Sequence, residues 1–200
     1  MNILICGSSN SGCERILRLV IHIFKNKNMP LHVIQNYQKD SSVKELSKNE
    51  SSTVCLCTHF WDVYTDIKQF DHVILCIRDC RTICKSIYEM IKYCEQVQCW
   101  NIFSNVTLKY ELYGPSQIKE ITNRLNLPFT HGDIISLVDK VRIIGIKDND
   151  IDWKEKEIQN TFFVHKYLEE FNYYIPIQQD PKANDLHHSV SWTSSSNVPS

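Results

Sequence analysis

Apolar residues along this chain fall into two alternating kinds of run. Ile3 to Cys6, Val54 to Thr58 and Asp71 to Ile77, the last reading "DHVILCI", are short and almost continuously apolar. Strands buried on both faces of a parallel sheet need that pattern. Leu31 to Tyr37 and Asn105 to Tyr110 are two further β-like runs. Between them apolar residues recur every three or four positions, as in Cys13 to Lys25 through Ile16, Leu17, Val20, Ile21 and Phe24. That period predicts a helix there, and others from about Arg81 to Cys94, Pro115 to Leu125, about Asp133 to Ile144 and Glu155 to Phe171.

Strands alternating with helices predict an α/β fold, a three-layer α/β/α sandwich around a mainly parallel sheet. Gln38 to Ser52 is polar and lysine-rich and reads as a solvated excursion. From Gln178 onward the chain is polar and Ser-rich, closing on "SVSWTSSSNVPS". Residues 178–200 are therefore expected to be a disordered tail behind a single domain over residues 1–177.

Composition narrows the function classes. A chain of 200 residues suits one domain that buries roughly 70% of the surface its unfolded form exposes. Lys+Arg number 22 and Asp+Glu 23, a net charge of -1, so no nucleic-acid or membrane-surface partner is expected and any anion site must be local. Near the N-terminus the apolar run is cut at once by a polar loop, and the later run Ile16 to Phe24 contains Arg18 and His22. Neither a signal peptide nor a transmembrane segment is expected, and a cytoplasmic location follows. Nine cysteines, mostly within apolar runs and without C-x-x-C spacing, read as buried thiols rather than disulfides or a zinc site. Cys55 and Cys57 share a strand face and are read as core, so no metal is expected.

The candidate chemistry begins at "CGSSNSGCERI", residues 6 to 16. Gly7 and Gly12 have the G-x-x-x-x-G spacing of a phosphate-cradling loop, but Cys13 and Glu14 stand where a nucleoside triphosphatase places Lys and Ser or Thr. A loop from a buried strand into a helix offers successive backbone N–H groups and the positive end of the helix dipole to a phosphate. Ser8, Ser9 and Ser11 add hydroxyls. The same residues also suit a tight turn with an N-capping serine, and Glu14 opposes a bound phosphate unless it faces away.

In α/β sheets ligands collect at the carboxyl ends of strands, where this loop, His59 and Arg78 all fall. Arg78 and Ser86, eight positions later, can bring a guanidinium fork and a hydroxyl to one phosphate. Taken alone, they read as a surface arginine paired with Asp79 and a solvent-facing serine.

Four stretches, in order, resemble the sulfotransferases that use 3'-phosphoadenosine 5'-phosphosulfate (PAPS). "HVILCIRDCRTICKSIYEM" is similar to that family's 3'-phosphate segment, with Arg78 and Ser86 matching its first arginine and its serine. "SSNSGC" resembles the 5'-phosphosulfate loop P-K/R-S-G-T-T, matching at Ser11 and Gly12 and placing Ser9, Asn10 and Cys13 in the same loop. "CTHFWDVY" resembles the K-T-H segment, which implies His59 as general base, and "LKYELYGPSQIKEITNRLNLPF" resembles L-R-Y-E-D-L and the helix ending in F-L-G-L-P.

The resemblance covers about residues 1 to 130. It implies a P-loop NTPase-like, sulfotransferase-like fold, PAPS as co-substrate without a metal, and sulfuryl transfer to a hydroxyl or amine of a small-molecule or glycan acceptor. A histidine of ordinary pKa, about 6.5, is largely neutral and competent as a base near neutrality.

The chain also departs from the pattern. Asn10 replaces the loop cation, Cys57 another common lysine, Cys13 and Glu14 the two threonines, and Cys80 the proline, and no R-K-G-like segment follows. A leaving-group cation is missing unless Arg15 or Arg18 bends back, which their helical positions disfavour. Two alternatives stand beside transfer: a catalytically inactive nucleotide-binding homologue, and a P-loop nucleotide kinase relative lacking G-K-[ST].

Overall fold

The computed structural model describes residues 1–34, 53–58, 67–141 and 161–173. His59, the polar excursion at 38–52 and the tail at 178–200 lie outside the described residues. The apolar runs form strands β1 (Asn2–Cys6), β2 (Leu31–Ile34), β3 (Thr53–Thr58), β4 (His72–Ile77) and β5 (Val106–Lys109). They make one five-stranded sheet in the order β2-β3-β1-β4-β5, with every neighbouring pair parallel. The protein is thus α/β.

Strand β1 sits in the middle, Leu4 opposite Leu56 on one side and Val73 on the other. Ile3, Leu4, Ile5 and Cys6 are all fully buried, which is why this run carries no polar alternation.

Side chains still alternate between two apolar clusters, one on each face, because the strand period is two. Leu4 and Cys6 join Val73, Leu75 and Ile77 in one cluster; Ile3 and Ile5 join Ile74 and Cys76 in the other. Helices α1 (Cys13–Asn26), α4 (Pro115–Arg124) and α5 (His131–Lys140) supply the second cluster with Leu17, Val20, Ile118, Ile121, Ile134 and Leu137. Between β4 and β5 come α2 (Cys80–Ile83) and α3 (Ile87–Asn101), and late in the chain α6 (Phe162–Glu170). The last two supply the first cluster with Met90, Val97, Trp100, Val164, Tyr167 and Leu168.

This arrangement positions the site. Strand β1 leads into α1 on one face, β4 leads into α3 on the other, and the two strands are neighbours. Their connections diverge at the carboxyl edge of the sheet.

Several boundaries differ from the sequence expectation. The helix expected over Arg81 to Cys94 is two helices, separated by Cys84 in an extended conformation. The Asp79 carboxylate accepts from Arg81 N to cap α2, and Ser86 Oγ accepts from Glu89 N to cap α3. Two caps so close in sequence prevent one continuous helix. Strand β5 ends at Lys109, and Tyr110 opens a 3-10 turn, Tyr110–Leu112. Helix α5 starts at His131 behind a Thr130–Asp133 capping box and ends at Lys140, short of the expected Ile144. Helix α6 covers the second half of its expected span, the first half lying outside the described residues. Cys6, Cys13, Cys76, Cys80, Cys84, Cys94 and Cys99 form no disulfide. No helix among the described residues is long and apolar enough to cross a membrane.

Candidate functional site

The loop leaving β1 is shaped by backbone that ordinary residues avoid. Gly7 has φ 157°, and a Cβ there would stand 2.4 Å from the Cys76 carbonyl oxygen and 2.5 Å from Ser11 Oγ. Glycine lets the loop pass directly against β4. Asn10 (φ 63°) and Gly12 (φ 102°) are both left-handed, and Ser11 N donates to Ser8 O at 3.1 Å to close the turn between them.

Gly12 is the N-cap of α1, and no side chain caps this helix. An N-capping serine is therefore not what this loop provides. Ser11 Oγ instead lies 3.4 Å from Cys13 Sγ, with both residues buried. The first turn of α1, with its partial positive charge, begins directly after the loop.

Ser8, Ser9 and Asn10 form one wall of a cleft of about 550 Å³. Cys84, Glu89, Lys92 and Tyr93 of the α2–α3 segment line the opposite side. Burial pushes the Cys84 thiol up to about 12, so it stays protonated and is no nucleophile. Glu14, the carboxylate expected to oppose a phosphate, is exposed and accepts from Arg18 Nη2 at 2.5 Å, one turn along the helix. That pairing turns the acid outward and takes Arg18 away from the loop.

Arg78 follows β4 at the same sheet edge as the loop, as expected, but it is only 2% exposed. Its backbone N–H donates to Tyr93 Oη at 2.8 Å, and its carbonyl accepts from Tyr93 Oη at 3.0 Å and Tyr167 Oη at 2.6 Å. Burial raises both tyrosine hydroxyls well above their ordinary range, so both remain protonated. The Arg78 guanidinium carbon lies 4.2 Å from the ring centroid of Tyr110. Asp79 pairs with Arg81 at 2.5 Å.

Ser86 is exposed at the start of α3, its hydroxyl accepting from Glu89 N at 3.2 Å while Glu89 Oε2 accepts from Lys85 N at 2.7 Å. Arg78 thus points into the protein while Ser86 caps a helix at its surface. The expected convergence of the two on one point is not seen in this arrangement. His59 lies outside the described residues; the last described residue before it, Thr58, pairs with Cys6.

Three residues outside the expected set of ligands belong to this region. Exposed Lys92 lines the cleft, its ammonium 4.4 Å from the Tyr88 ring centroid. Tyr110 stacks on Arg78 and also on Arg15, whose guanidinium carbon is 4.1 Å from the same ring centroid and whose Nη2 donates to Tyr110 Oη at 2.9 Å. A Cβ on Gly12 would stand 2.9 Å from Tyr110 Cδ2, so the second loop glycine makes room for this ring. Arg15 was the legible one: it lies one turn before Leu19 on the buried stripe of α1, and an arginine in such a stripe needs partners.

Among the described residues no group of three His, Cys, Asp or Glu side chains is placed to hold a metal ion. No family model matches the chain, and no curated protein or solved structure matches it.

Proposed function

We propose that the protein is a sulfotransferase-like nucleotide-binding protein, a three-layer P-loop-type sandwich that takes a phosphate group of PAPS at the Gly7–Gly12 loop. The observation that carries this reading is the loop itself. It is a glycine-shaped turn at the diverging ends of β1 and β4, leading into a helix that no side chain caps, with its one carboxylate paired outward. Lys92, across the cleft, supplies the positive charge that Asn10 does not.

In the transfer reaction an acceptor oxygen or nitrogen attacks sulfur, the bond from sulfur to the 5'-phosphate oxygen breaks, His59 takes the acceptor's proton, and Lys92 faces the charge on the departing phosphate. A second reading, binding without transfer, is favoured by a separate observation. Arg78, the expected 3'-phosphate ligand, is buried against Tyr110, and the loop has no cation of its own.

Calorimetric titration with adenosine 3',5'-bisphosphate, PAPS and Mg–ATP tests both readings. Binding of the bisphosphate, weakened about three- to tenfold by Lys92→Ala, is expected, since exposed Lys92 contributes one screened charge. Sulfuryl transfer to a panel of phenol and sugar acceptors, lost in His59→Ala, identifies an enzyme; binding with no transfer selects the second reading. Preference for Mg–ATP would move the protein to the kinase class, and no binding of any of the three would overturn the proposal.

A further inference from the structure

Past the other end of the loop lies a second, smaller cleft of about 200 Å³, walled by Ser11, Arg15, Lys109, Tyr110, Tyr113 and Gln117. Its closed part has room for about one water-sized occupant. Three buried polar atoms of its lining have no hydrogen-bond partner among the described residues: Arg15 Nε, Tyr113 Oη and Gln117 Oε1. Arg15 and Gln117 are 8% and 9% exposed. Native structures rarely leave one such atom unmet, because each loses its water without replacement. Three around a single small space point to an occupant.

The charge around the cleft decides what kind. Arginine cannot shed its proton, so Arg15 is a buried cation. Its partners are the Tyr110 hydroxyl and the faces of Tyr110 and Tyr113, the latter with its centroid 4.9 Å from the guanidinium carbon. Among the described residues no carboxylate lines the cleft. The second cation, Lys109, is committed elsewhere, its ammonium donating to the Phe171 carbonyl and lying 4.9 Å from the Tyr173 ring centroid. Tyr110 also carries Arg78, so two like charges share one ring with no acid between them.

A bridging water meets the hydrogen bonds but leaves the charge. A monatomic anion, somewhat larger than a water molecule, meets both. It accepts from Arg15 Nε–H, from the Tyr113 hydroxyl and from the Gln117 amide once its terminal group is turned over, its oxygen and nitrogen being interchangeable in shape. Burial pushes Tyr113 up to about 12, which keeps that hydroxyl a donor. We propose that this cleft is a binding site for a monatomic anion of the chloride class, held by Arg15, Tyr113 and Gln117. The inference stands on these residues and is independent of the nucleotide reading.

Thermal unfolding of the full chain at fixed ionic strength, with chloride or bromide replacing gluconate, is the test. The midpoint should rise with chloride concentration, and crystals grown with bromide should show its anomalous signal beside Arg15. Tyr113→Phe removes a hydroxyl that has no partner among the described residues, so in gluconate it should be at least as stable as the parent, while its chloride affinity falls about tenfold, the worth of one charge-assisted hydrogen bond. Lys92→Ala should leave the chloride response unchanged, which separates this site from the larger cleft. Equal midpoints in chloride and gluconate, an unchanged chloride response in Tyr113→Phe, or no bromide signal at Arg15 would each overturn the proposal and leave a water in the cleft.

Discussion

The segments that leave β1 and β4 start side by side from two buried strands, yet they turn their polar groups in opposite directions. After β1, two glycines and a left-handed asparagine bring serines and an uncapped helix start to the edge of a cleft. After β4, the first charged residue, Arg78, folds inward, held by two tyrosine hydroxyls on its backbone and one tyrosine ring under its guanidinium. One segment is built around a space and the other fills one. The contrast shows that a motif counts residues, whereas binding depends on which way they face. Arg78 is buried with its guanidinium on Tyr110, and exposed Lys92, on the next long helix, lines the cleft beside the loop.

The contrast can be broken at each point. The largest effect is expected from Gly7→Ala. The new methyl group meets a backbone carbonyl at 2.4 Å, which cannot yield without displacing β4. Denaturant unfolding should show a loss of about 3 kcal/mol or more. A near-neutral result would mean that the loop does not pass against β4.

Arg78→Ala comes next, with an expected loss of about 1–3 kcal/mol as Tyr110 loses its packing partner. Nucleotide affinity weakened without any change in stability would put Arg78 back in the phosphate site and erase the distinction between the two segments. Ser86→Ala should cost about 1 kcal/mol as a lost helix cap and leave adenosine bisphosphate binding unchanged. Binding that falls while stability holds would make Ser86 a ligand after all.

Much of the sheet was legible because buried parallel strands write themselves as short apolar runs, and Ile3 to Cys6 and His72 to Ile77 do so with little ambiguity. The break at Cys84 to Ser86 was also present in the sequence. Ser86-Ile87-Tyr88-Glu89 has the S-x-x-E spacing of a helix start, but the same serine had been assigned to a phosphate. What no local pattern carried was the direction of Arg78. It is set by Tyr110, thirty-two positions on, and by Tyr93 and Tyr167 from two other helices, and such long-range partners leave no periodic trace. The helical position of Arg15 alone disfavours an approach to the loop. The structure places it beside Ser11 and under Tyr110, where the buried face of α1 meets the end of β5.

The central place of β1 also has a consequence for synthesis. Ile3 pairs with Cys55 on one side and His72 on the other, so the middle strand leaves the ribosome before either neighbour exists. At ordinary elongation rates it waits on the order of several seconds, a fully apolar segment with both edges unpaired. Until His72 to Ile77 has emerged, the nascent chain offers "ILIC" to any other strand or chaperone nearby.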